Sequence, residues 1–196
     1  MKLFALTAFA AVALTASAVS AQTAPANQGP AIPGICVVDA QRAVLTSTAG
    51  QAVNARMREL TQEVQGEIAP YFQAVETGLA TLRQSAPTLS EEERNNQARA
   101  LQQRYEEAQQ LEQTRQNELR YTLSEQLKVI GAAADPLMTA LYQERGCGIL
   151  LNAEGVIEVN RSMDLTDALI ERLNRQLPGS RSFNRLPVPV QQPQQQ

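Results

Sequence analysis

Apolar residues recur at Val53, Met57, Leu60, Val64, Ile68, Tyr71, Val75, Leu79 and Leu82. The steps between them are all three or four residues, the spacing of one face of an α-helix. Their mean lies near ~3.6 residues, so little left-handed supercoiling is demanded. A second stripe begins at Leu101, Tyr105, Ala108 and Leu111 and thins through Glu112, Thr114 and Arg115. It resumes at Leu119, Leu123, Leu127, Ile130, Ala134, Leu137 and Leu141. Between the two, Ser85-Ala86-Pro87-Thr88-Leu89-Ser90 breaks the pattern. Residues 44–145 therefore predict one long antiparallel pair of helices, each stripe burying itself against the other. The half nearest the tip is polar and loosely specified, and the half nearest the ends is the better core.

Local signals place the boundaries. Asp39 can cap a helix starting near Ala40, and Thr46-Ser47-Thr48-Ala49-Gly50 predicts a bend before the first arm. Ser90-Glu91-Glu92-Glu93 matches a capping box and sets three carboxylates where the helix dipole favours them. Pro70 predicts a kink rather than an end, because the stripe keeps its phase across it. Gly66 and Gly78 soften the same arm, and Pro136 predicts a second kink near the base. Gly146-Cys147-Gly148 closes the second arm, with glycine available for a left-handed cap. Outside the arms, Ile35–Val38, Ile149–Leu151 and Val156–Val159 read as strands, the last two joined by Asn152-Ala153-Glu154-Gly155. Asp164 and Asp167 open a last helix carrying Leu165, Leu169, Leu173 and Leu177, which Pro178-Gly179 stops.

The fold class is thus α+β and mostly α: a long antiparallel helical hairpin projecting from a small β-strand body (residues 35–43 and 146–177). Three short strands and a small helix make a thin core for one chain, so the body is expected to oligomerise. At the ends, residues 1–21 read as a signal peptide. Lys2 is followed by an apolar run, Leu3 to Val19, and by small residues at Val19-Ser20-Ala21. No other segment approaches a membrane span, so an exported chain without stable membrane insertion is expected. Residues 22–34 read as a disordered leader and 178–196 as a disordered Pro/Gln-rich tail.

Composition narrows the chemistry. Aromatics make up 4% of the 196 residues and Trp is absent, which suits long, partly solvated helices. The formal net charge of −3 gives no general attraction to polyanions and argues against nucleic-acid binding. There is no His, and beyond Lys2 the only lysine is Lys128. Phosphate-binding loops, His-containing triads and zinc sites of ordinary type are therefore excluded. No residue is assigned to catalysis, a cofactor or a metal, and the chain does not read as an enzyme. Cys36 and Cys147 flank the hairpin, whose closure would bring them together. An intrachain bridge, two buried thiols and an intermolecular bridge all remain open.

The order of these elements resembles the Skp/OmpH family of periplasmic chaperones. Ile35-Cys36-Val37-Val38-Asp39 looks like the family's opening strand, and Gly148 to Ile157 like its strand-turn-strand return. Asp164-Leu165-Thr166-Asp167-Ala168-Leu169-Ile170 looks like its closing helix. The resemblance covers residues 35–177. It implies a periplasmic homotrimer with three tentacle-like arms around a cavity, holding unfolded outer-membrane β-barrel proteins without ATP before membrane insertion. Enterobacterial members have lysine-rich tips to which a lipopolysaccharide site has been attributed. Here Arg83, Arg94 and Arg99 stand among Glu91, Glu92 and Glu93, so that site is not carried over. Tyr71, Phe72, Leu79, Leu82, Leu89 and Tyr105 are the candidate client contacts. The competing assignment for each is burial between the helices, with Phe72, beside the stripe, the expected exception. The alternative function is a coiled-coil structural or adaptor protein of the envelope that binds one folded partner.

Overall fold

Two parallel strands are held together by everything that lies between them in sequence. The computed structural model describes residues 29–177, 179 and 182–189. The expected signal peptide, 1–21, lies outside the described residues. Strand β1 (Ile35–Val38) pairs with β2 (Ile149–Asn152) in parallel, Ile35 opposite Ile149 and Val38 opposite Asn152. Parallel neighbours need a long crossover. Here the crossover is helix α1 (Ala40–Thr46), the first arm α2 (Thr48–Ser85) and the second arm α3 (Glu91–Glu144). Helix α4 (Thr166–Gln176) then returns across the base.

The predicted caps are present. The Asp39 carboxylate accepts from Arg42 N at 2.7 Å. Ser47 ends α1 and starts α2, its hydroxyl accepting from Gly50 N at 3.1 Å. Gly50 is required at this bend, because a Cβ there would overlap the Val44 and Leu45 carbonyls. Ser90 and Glu93 form the reciprocal capping box. Gly146 takes φ +64°, the left-handed conformation that favours glycine. The arms stay helical through Pro70 and Pro136, α2 for 38 residues and α3 for 54. At ~1.5 Å per residue, they span about 57 and 81 Å.

The core sits at the base. Val53 of α2, Ile130 and Leu141 of α3, and Leu169 and Leu173 of α4 are almost fully buried in one cluster with Val38. Polar contacts fix α4 in place. Arg42 pairs with Asp167 at 3.1 Å, Thr166 Oγ1 accepts from Asp39 N at 2.9 Å, and Asn174 accepts from Thr48 N at 2.8 Å. Arg172 clasps Glu144 through two bonds and holds that carboxyl below the usual carboxylate range. The sulfurs of Cys36 and Cys147 form a disulfide within the chain. It joins β1 to the residue just beyond α3 across 111 positions.

Three expectations are corrected. Val156–Val159 is not a strand. Residues 153–155 and 161–163 form short 3-10 turns, and Ile157 is 99% exposed. The Asn152 side chain accepts from Glu154 N and turns the backbone away, so the segment does not pair back onto β2. The leader is not wholly free either. The Gly29 carbonyl accepts from Asn160 Nδ2 at 2.7 Å, and Ile32 N donates to Met163 Sδ. Nor is the tail disordered throughout, for residues 182–189 lie on the arms without regular secondary structure.

Candidate functional site

The arms differ in depth of packing along their length. Near the base α2 and α3 are covered by α4. Beyond about Ile68 they have only each other, and two helices can bury no more than a single seam. Val75, Leu101 and Ala108 form that seam, with Val75 7% and Leu101 8% exposed. Gly78 lets the helices approach, since a Cβ there would overlap the Leu101 side chain. Every other apolar side chain of this region is left at the margin of the seam or in solvent.

The candidates sort accordingly. Tyr71 is 53% exposed, Leu79 40% and Tyr105 39%. Leu82 and Leu89 are half-buried near the tip. Phe72 is half-buried and meets Tyr105 edge to face, with ring centroids 6.0 Å apart. Such a contact favours a ring pair beyond the area it buries. The expectation for Phe72 is thus inverted: it turns toward the partner helix and Tyr71 turns out. A step of four from Ile68 reaches Phe72, whereas a step of three reaches Tyr71. Both fit the periodicity, and the aromatic partner on α3 decides between them. The six do not converge on a pocket. They lie along an open, two-helix surface with alternating apolar and polar positions.

A second apolar surface lies at the base. β1 is covered on one edge by β2 and on the other by a bridge to Asp164, with Leu165 N donating to Val37 O at 2.8 Å. The outer edge of β2 has no strand beside it among the described residues. Ile149 (51% exposed) and Leu151 (40%) lie on that strand, and Ile32 (55%) and Ile157 (99%) are further exposed apolar side chains of the base. The backbone hydrogen-bonding groups of an open edge are a template for further pairing.

Among the described residues no group of three or more His, Cys, Asp or Glu side chains is placed to hold a metal, and no helix is long and apolar enough to cross a membrane.

Residues 34–173, more than half of the chain, match the family model described as outer membrane protein (OmpH-like). The chain belongs to the OmpH-like family. No curated protein sequence matches this OmpH-like chain. Its fold is similar to a crystal structure from Caulobacter crescentus CB15, described as a candidate outer membrane chaperone (OmpH-like). The two agree with a TM-score of 0.73 and 30% identity, over 85% of this chain and 97% of that one. The α+β fold dominated by long helical arms is therefore that of the family.

Proposed function

We propose that this OmpH-like protein is an ATP-independent periplasmic holdase. Three copies would join through the open β2 edge and the apolar side chains beside it. Their arms would enclose unfolded outer-membrane β-barrel proteins and keep them from aggregating before insertion. The observation that carries this reading is the contrast between a tightly built base and an arm whose seam leaves Tyr71, Leu79 and Tyr105 in solvent. A surface of separate, weak apolar contacts suits a client with no fixed shape. Repeating it on three arms raises the effective concentration of every contact. Family membership supports a chaperone role, and the Caulobacter protein is described in those terms.

The test uses the exported chain and an unfolded β-barrel protein diluted from denaturant. Light scattering should give three times the chain mass, and stoichiometric trimer should suppress turbidity. A monomer, or undiminished turbidity, overturns the proposal. Recovery of one folded envelope protein in place of many barrel precursors would favour an adaptor instead. Tyr71→Ser with Leu79→Ser removes two exposed contacts per arm and should weaken suppression by roughly tenfold while leaving the fold intact.

A further inference from the structure

The segment after α4 makes contacts that the proposed function does not use. The Phe183 carbonyl accepts from Arg56 Nε at 3.1 Å, and the Phe183 ring packs on the base cluster. Leu186 N donates to the hydroxyl of Thr122, a side chain with no exposed surface, at 2.8 Å. Between these two anchors Arg185 reaches both arms at once. Its Nη2 lies 3.0 Å from Glu67 Oε2 on α2, and its Nε lies 2.8 Å from Glu118 Oε2 on α3.

Arg115 bridges the same two carboxylates from the other side. Its Nε donates to Glu67 Oε1 at 2.8 Å and its Nη1 to Glu118 Oε1 at 3.0 Å. The four side chains form a closed ring of alternating charge, Arg115, Glu67, Arg185 and Glu118. Glu118 is 12% exposed and the other three between 23% and 33%. Charged groups this sheltered interact more strongly than open surface pairs, and planar guanidinium forks fix geometry as well as charge. Without Arg185, two neighbouring carboxylates would share a single guanidinium.

The position of the ring matters. Glu67 lies three residues before Pro70, which has no amide hydrogen to give the Gly66 carbonyl. The ring therefore crosses the hairpin at the turn where the α2 hydrogen-bond ladder is interrupted. We propose that residues 182–189 are a strap that fastens α2 to α3 on the base side of Pro70, so that the arm bends only beyond it.

Deuterium exchange of the protein alone, with no client, tests this independently of the chaperone reading. The full exported chain is compared with Arg185→Ala and with a chain ending at Gly179, circular dichroism establishing that each remains helical. Amides of residues 60–69 and 111–122 should exchange about tenfold faster in both variants, while those of α4 stay unchanged in Arg185→Ala, which keeps Phe183 on the base. Unchanged exchange in 60–69 and 111–122 overturns the strap. So does acceleration that includes α4 in Arg185→Ala, because the ring would then only support the base. If the shortened chain fails to fold, Arg185→Ala alone decides, since it removes one corner of the ring and leaves the Phe183 and Leu186 anchors in place.

Discussion

The two halves of the hairpin are written in the same helical repeat and reach different ends. Near the base, Val53, Ile130 and Leu141 have no more than 1% of their surface exposed, because α4 lays Leu169 and Leu173 over them. Beyond Ile68 the same spacing yields only Val75, Leu101 and Ala108 as a buried line, with Tyr71 and Leu79 left outside. Periodicity specifies which residues share a face. How deeply that face is buried depends on how many other elements arrive to cover it. Rigidity belongs to the half with a third layer, and adaptable contact to the half without one.

The strongest way to break this comparison is to cut equal volumes from both halves. Leu169→Ala should lower unfolding free energy in urea by about 4 kcal/mol and Leu101→Ala by about 2, the upper and lower parts of the range for such truncations. Equal losses would mean that the two halves are equally packed. Next is the disulfide. Replacing Cys36 and Cys147 with serine together should cost about 3 kcal/mol in the same titration. The loss should appear as faster exchange at the base, with the 75–105 region unaffected. At the tip, Ser90→Ala removes the cap from α3 and should cost about 1 kcal/mol, visible as fraying of the first turn and nowhere else. The smallest effect is electrostatic. The Arg115 hydrogen bond, with Arg185 beside it, holds the Glu67 carboxyl below its ordinary value of 4.5. A carboxyl lowered by folding stabilises above its unfolded value, and that stabilisation is lost as pH falls through the folded one. Below about pH 4.5 the protection of 60–69 relative to the intrinsic exchange rate should therefore fall, and Glu67→Gln should abolish the dependence. A flat pH profile in the unmodified chain would show that the ring does not hold that region.

Much of this was legible in advance, for reasons that can be named. The arms and their turn follow from a stripe and from the Ser90–Glu93 box, and both signals are local. Asp39 and Gly146 announce helix ends in the same way. The errors fall where the determining contact is distant in sequence. Tyr71 and Phe72 both fit a helical step, and only Tyr105 on the other arm separates them. Val156–Val159 has strand composition, but the turns on either side keep it from pairing with β2. Residues 182–189 have no periodicity at all, since an irregular segment on a helical surface needs none. The one hint was Phe183, Arg185 and Leu186 set within a run otherwise rich in proline and glutamine. Their partners Arg56, Glu67, Glu118 and Thr122 lie 64 to 127 positions away and carry no mark of the match.

The Cys36–Cys147 bond also gives the molecule an unusual covalent outline. Both arms, including the turn at residues 86–89, lie inside one closed ring, and α4 and the tail hang from it. The turn is the extremity that a protease would meet first. One cut there opens the ring but releases no fragment, since each arm remains joined to the body by peptide bond and the two halves to each other by sulfur. A nicked molecule would run as a single band until reduced. Its two arms would still stand on the same base, with their seam free to close again.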